Sequence, residues 1–276
     1  MEVGVNLFSL RTMLQTEREI YDTFTALKKA GAAYVQYSGG LYNVTVLKNA
    51  AEILPVVLTH VPYERIVNDT ETLMEEHAIF GCKNIGLGCY PAEGLFDKNK
   101  CFEIIEALEK AAIKAEKNGF KLYLHHHSTE FYRLFENKTV LDVILERAPH
   151  LQITADTYWL QHGGVCITDY LKDRLFGKVG CIHLKDYAIT GVNREDLKPT
   201  YERVGYGNID FHKVVKTAKE CGTKYFLIEQ DDACEKPEPL RLIMDSIDYC
   251  RRELSRMPSN FREEGTIQDF LTKYDI

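Results

Sequence analysis

The chain has 276 residues, 45% of them hydrophobic, with 34 basic against 41 acidic side chains and a net charge of -7. Such a length suits one large core, and α/β barrels commonly use about 250 residues as a single domain. The acidic balance offers no basic footprint for nucleic acid or an anionic membrane, and no apolar run approaches the roughly 20 residues of a membrane span.

In chain order, eight short apolar strands are predicted, at residues 3–8, 34–37, 56–60, 84–88, 121–125, 152–156, 179–183 and 225–229. Amphipathic helical patterns separate them. Thr16 with Glu19 reads as a capping box that opens a helix whose Ile20, Phe24 and Leu27 share one face. Lys28-Lys-Ala-Gly31 closes it just before Tyr34-Val-Gln-Tyr37. The same join recurs at Gly81 before Asn84, at Gly119 before Leu122 and at Gly222 before Tyr225, as expected where glycine supplies a helix C-cap. Ile104, Leu108, Ala111 and Ala115 form one further apolar helix face, and Phe211, Val215 and Ala218 another.

Strands apolar on both faces and alternating with helices require a parallel sheet covered by helices. Eight repeats favour a single-domain (β/α)8 TIM barrel over residues 1–254. The competitor, a doubly wound open sheet, usually carries a glycine-rich phosphate loop, whereas Gly39-Gly40 is only a lone pair. Residues 255–276 form a tail expected to pack on the barrel or on a neighbouring subunit of a homodimer. The start, Met1-Glu-Val-Gly-Val-Asn-Leu7, lacks the basic segment and cleavage site of a secretory signal, so the expected compartment is the cytoplasm. Eight cysteines without a C-x-x-C pair are expected to be reduced and mostly buried.

Four strand ends carry metal-ligand side chains. Glu130, Asp156, His183 and Glu229 stand at or just past strands five to eight, and a parallel barrel gathers such positions on one rim. Three carboxylates and one imidazole suit Mn²⁺, with Mg²⁺, Co²⁺, Fe²⁺ or Zn²⁺ as alternatives, better than a thiolate zinc site. In His125-His126-His127, alternation turns His126 away from its neighbours. His125 and His127 then face the mouth as substrate groups, either of them a ligand if Glu130 is not. Lys185, directly after the His183 ligand, can hold a developing oxyanion. His60, Trp159, His162 and Arg203 are the remaining candidates for substrate contacts, Trp159 as a stacking wall and Arg203 as an anion or hydroxyl contact.

Taken together, His125-His-His-Ser-Thr-Glu-Phe131, Asp156-Thr-Tyr-Trp159, His183-Leu-Lys-Asp186, Val204-Gly-Tyr-Gly-Asn-Ile-Asp210 and Ile228-Glu-Gln-Asp231 resemble the sugar phosphate isomerase/epimerase family of xylose isomerase-like barrels, which includes inosose dehydratases. The resemblance covers about residues 3–254. It implies a divalent metal, often manganese, on Glu130, Asp156, His183 and Glu229. The chain departs from the family pattern at Gln36 and Tyr206, where glutamate is usual, and at His126, where asparagine is usual.

The expected reaction is metal-assisted proton transfer next to a carbonyl of a ketose or keto-polyol, a small-molecule substrate. Glu229 and Glu130 serve as base and acid, and Lys185 holds the oxyanion. A dehydratase of a keto-inositol or 3-keto-sugar shares the first step, with His125 or His127 protonating the departing hydroxyl. An apurinic endonuclease-like enzyme and a non-catalytic sugar-binding barrel are the remaining readings.

Overall fold

The computed structural model describes residues 1–255. Eight parallel strands close into a barrel: β1 (Gly4–Asn6), β2 (Val35–Tyr37), β3 (Val56–Val61), β4 (Asn84–Leu87), β5 (Lys121–His125), β6 (Gln152–Asp156), β7 (Cys181–Leu184) and β10 (Tyr225–Ile228). Two further strands, β8 (Asp186–Thr190) and β9 (Lys198–Glu202), pair antiparallel as a hairpin outside it. The open-sheet alternative is therefore excluded.

Local chemistry sets the joins. Thr16 and Glu19 make the expected capping box at the start of Glu17–Ala30, and Gly31, at φ 93°, closes that helix with its N–H on the Leu27 and Lys28 carbonyls. Ile20, Phe24 and Leu27 bury the predicted face, as do Ile104, Leu108, Ala111 and Ala115 on Lys98–Lys117. The first strand ends earlier than residue 8 because the Asn6 side chain accepts from the Phe8 N–H and turns the chain into the 3₁₀ helix Leu7–Met13.

Inside the barrel, Tyr34, Leu58, Tyr123, Cys181 and Leu227 pack as one apolar layer. Strand alternation puts the residue two further along on the same side. Those residues are Gln36, His60, His125, His183 and Glu229, so a polar layer lies directly above the apolar plug. Register aligns it: Asp156 pairs with His183, Asn6 with Gln36, and Ile228 with Leu184.

The hairpin was not legible as strands, because a two-stranded ribbon outside the core leaves no burial pattern; Ile189 and Leu197 are half exposed and Val192 is 94% exposed. All eight cysteines are free, with Cys82, Cys101, Cys181, Cys221 and Cys250 buried. Among the described residues no helix is long and apolar enough to cross a membrane. The tail, beyond Ser255, lies outside the described residues.

Candidate active site and metal cluster

At the carboxyl ends of the strands, His125, Asp156, His183 and Glu229 each present a ligand atom, all within 4.8 Å of one another and all buried. Two of these atoms, His183 Nδ1 and Glu229 Oε2, have no hydrogen-bond partner although they approach to 2.9 Å. A buried polar atom left unbonded costs about 1–3 kcal/mol. In the metal-free protein a proton on His183 Nδ1 joins the two as an ion pair, and a cation held by all four ligand atoms would take that proton's place. Two imidazole nitrogens with two carboxylate oxygens match the preferences of a first-row divalent metal, so the residues fit such an ion.

The charge state supports that fit. Burial pulls the His183 imidazole down, but the Glu229 and Asp156 carboxylates outweigh it and raise its pKa to about 9. Burial raises Glu229 and Asp156, yet Lys185 and the surrounding imidazoles outweigh it and hold both carboxyls below the usual range. Positive charge is therefore what this corner requires.

Lys185 is only 1% exposed, and removing an ammonium from water costs several kcal/mol unless it is paired. Its Nζ lies 2.6 Å from Asp231 Oδ2, 3.6 Å from Glu229 Oε2 and 3.8 Å from Asp156 Oδ2. The rings of Trp159 and Tyr201 flank it at 4.8 and 5.1 Å. Asp231 draws the ammonium aside and leaves the cluster's interior point free. Tyr201 comes from the hairpin, which thus contributes one wall of the site.

An outer relay orients the ligands. Gln36 Oε1 accepts from His183 Nε2 at 2.7 Å, while Gln36 Nε2 donates to His60 Nε2 at 2.7 Å. An amide oxygen only accepts and its nitrogen only donates, so His183 carries a proton on Nε2 and keeps Nδ1 for the cluster. His60 then holds its proton on Nδ1, 3.2 Å from Ser38 Oγ. His125 Nδ1 donates to the Gly88 carbonyl at 3.1 Å, turning Nε2 toward Asp156 Oδ2 at 3.5 Å. Asn6 Nδ2 donates to Glu229 Oε1 at 2.6 Å, so Oε2 is the atom left for the cluster.

The converging groups differ from the expected ligand set at one position: His125 stands among the four and Glu130 does not. Strand β5 ends at His125, whereas Glu130 sits in the following turn, Ser128–Phe131. There its Oε2 accepts from the His127 N–H at 2.7 Å and from Thr129 Oγ1 at 3.1 Å, so it caps the turn. His126 faces away, as expected, and its Nε2 accepts the Asp156 N–H.

His60 and His127 line a cleft of about 670 Å³ above the cluster, together with Lys185, Glu229 and Asp231. Burial and the neighbouring His125 lower the His127 pKa to about 3. Trp159 packs against His127, with ring centroids 5.2 Å apart. His162 instead stacks on Tyr158 and lines a separate hollow with Phe131 and Tyr132. Arg203 is likewise absent from the cleft: Glu202 and Asp245 pair with it, and its guanidinium lies over Tyr206. The neighbouring carboxylates satisfy it as a structural cation.

Asp186 explains the glycine motif near Arg203. Its carboxylate is fully buried and accepts the N–H groups of Tyr187, Gly205, Gly207 and Ile209. A Cβ at Gly207 would come within 2.4 Å of Asp186 Oδ1, which is why a side chain is excluded there. The loop therefore wraps this carboxylate and fixes the base of the hairpin.

A family model described as xylose isomerase-like TIM barrel matches residues 58–253. Among solved structures, a sugar phosphate isomerase/epimerase from Parabacteroides distasonis has a TM-score of 0.74 at 16% identity, covering 91% of this chain and 93% of that chain. A xylose isomerase-like TIM barrel protein from Mycobacterium smegmatis in complex with magnesium has a TM-score of 0.69 at 12% identity, covering 92% and 96%. The probable 3-DHS dehydratase AsbF from Bacillus anthracis has a TM-score of 0.67 at 13% identity, covering 92% and 100%. At these identities the likeness is one of fold. No curated protein matches the chain.

Proposed function

The chain belongs to the xylose isomerase-like TIM barrel family, and from that membership we propose that it is a divalent-metal-dependent isomerase or epimerase of a ketose or keto-polyol. The observation that carries this reading is the convergence of four buried ligand atoms, from His125, Asp156, His183 and Glu229, within 4.8 Å of one another at the carboxyl ends of the strands. We assign His125, Asp156, His183 and Glu229 as the residues that hold the ion, with Mn²⁺ the best match to the mixed nitrogen and oxygen donors. A bound ion would supply Lewis acidity toward a carbonyl oxygen.

The chain's own groups do the rest. Glu229 and His127 line the cleft from strands three places apart around the barrel, so they flank a sugar on different sides. Glu229, kept ionised, removes the proton α to the carbonyl, and His127, kept neutral, carries a proton on the other side. The Lys185 ammonium stabilises the developing oxyanion, and Trp159 and Tyr201 shield it from water. Eight free thiols accord with work in a reducing cytoplasm.

The test is exchange of the α-proton in deuterated water, with a panel of ketoses and inososes and with or without Mn²⁺. Metal-dependent deuterium uptake without change of composition supports the proposal. A product lighter by one water makes the enzyme a lyase, and no exchange with any substrate overturns the reading.

A further inference from the structure

The charge inventory of the cleft bears on a property that the family's common name leaves open: whether the sugar carries a phosphate. Besides Glu229 and Asp231, the cleft is lined by Glu64 and Glu93. These two occupy the first turns of the short helices Tyr63–Asn68 and Glu93–Phe96, on the β3 and β4 side of the mouth. Both are exposed, and neither makes an ion pair or hydrogen bond among the described residues. Both lie near Tyr63, which also lines the cleft and whose phenol is raised by burial and then by Glu93 and Glu64.

Among the described residues, the only lysine or arginine in the lining is Lys185, already held by Asp231 at 2.6 Å. Arg65 and Arg11, the described arginines beside the cleft, are committed. Arg65, next to Glu64, pairs with Glu76 at 3.1 Å. Arg11 spends Nη1 on the Phe8 and Asp231 carbonyls and leans toward Glu235. With Asp156 beneath, the carboxylates outnumber Lys185 and a bound dication together.

We propose that this site takes an uncharged ketose or keto-polyol and rejects phosphorylated sugars, with Glu64 and Glu93 as the residues that turn the phosphate away. A phosphate monoester carries close to two negative charges at neutral pH and seeks arginine forks or backbone N–H cradles. Here its distal end meets two free carboxylates. The hydroxyls of a neutral sugar instead find acceptors in those same glutamates, so one pair of side chains serves both recognition and exclusion.

The inference rests on the proposed function, and the experiment separates the two. Calorimetric titration of the Mn²⁺-loaded protein with D-fructose and D-ribulose, and with their terminal phosphate esters, gives the ratio of affinities directly. The free ketose is expected to bind at least about ten-fold more tightly than its ester. In the double variant Glu64→Gln/Glu93→Gln, and at high salt, that ratio is expected to shrink, because exposed charges are screened. An ester that binds as tightly as the free sugar overturns this inference and leaves the proposed function standing. A preference that survives both the double variant and high salt also overturns it, since the carboxylates would then not be its source. Binding of neither form, for these two sugars and for every member of the exchange panel, removes the proposed function and this inference with it.

Discussion

His183 Nε2 donates to Gln36 Oε1 at 2.7 Å across a separation of 147 residues. The bond decides which nitrogen of His183 faces the cluster, and it places a neutral amide between His183 and His60.

Replacing Gln36 by leucine therefore frees the His183 ring to rotate and leaves His60 without its donor. Outer partners of metal-ligating histidines are typically worth about 10–100-fold in metal affinity. Calorimetric titration with Mn²⁺ is expected to show a loss of that size in Gln36→Leu, with the fold intact by circular dichroism.

The metal-free protein is expected to lose stability in mild alkali. His183 is raised from 6.5 to about 9, so its contribution is complete below pH 6.5 and disappears as pH climbs through 9. A shift of that size corresponds to roughly 3 kcal/mol for a fully buried group. On the acid side, His77 and His126 are lowered to about 4, chiefly by burial, so their contribution is present above 6.5 and disappears as pH falls through 4. Thermal melts in a chelator from pH 4 to 10 check both limits. With Mn²⁺ bound, the alkaline loss is expected to vanish, because the Nδ1 proton is no longer there to leave.

Lys185→Met separates binding from turnover. The ammonium lies 3.6 and 3.8 Å from the Glu229 and Asp156 oxygens, so removing it leaves the carboxylates free to attract a cation. Mn²⁺ affinity is expected to rise while kcat falls by about 10²–10³, the scale for deleting a group that stabilises an oxyanion. Titration and steady-state kinetics on the same variant read the two effects.

Asp186→Asn weakens the loop that carries the hairpin. Four backbone N–H groups lose a charged acceptor, and an amide nitrogen is turned toward some of them. Hydrogen bonds to charged groups are worth about 1.5–3 kcal/mol each, and partial retention by the amide oxygen sets the expected loss at about 2–3 kcal/mol. Urea unfolding gives the value, and limited proteolysis is expected to cut first between residues 203 and 210.

Much of the barrel was legible because its rules are local. Glycine closes the helix ending at Ala30 before β2, and short apolar runs between helical patterns mark the strands, so the eight barrel strands fall close to where strand and helix alternation places them. Asp156, His183 and Glu229 were readable for the same reason: each stands at a strand end. His125 was a weaker candidate than Glu130, since residue type favoured the carboxylate and the turn that sequesters Glu130 depends on the backbone N–H of His127. The missing signal was parity. Tyr123 is interior, so His125, two further on, is interior too. Asn6 and Tyr201 left no trace in the sequence, because one finds its partner across the barrel and the other stands on a ribbon with no buried face; Asp231 was visible only as the end of the Ile228-Glu-Gln-Asp231 motif, without its pairing to Lys185. Arg203 misled for the opposite reason: Asp245, which neutralises it, lies 42 residues away.

The most direct test of the account is anomalous diffraction at the manganese edge from a crystal grown with Mn²⁺. One peak is expected within about 2.3 Å of His125 Nε2, Asp156 Oδ2, His183 Nδ1 and Glu229 Oε2. A peak coordinated by Glu130 in place of His125, or no peak among these four residues, would contradict it.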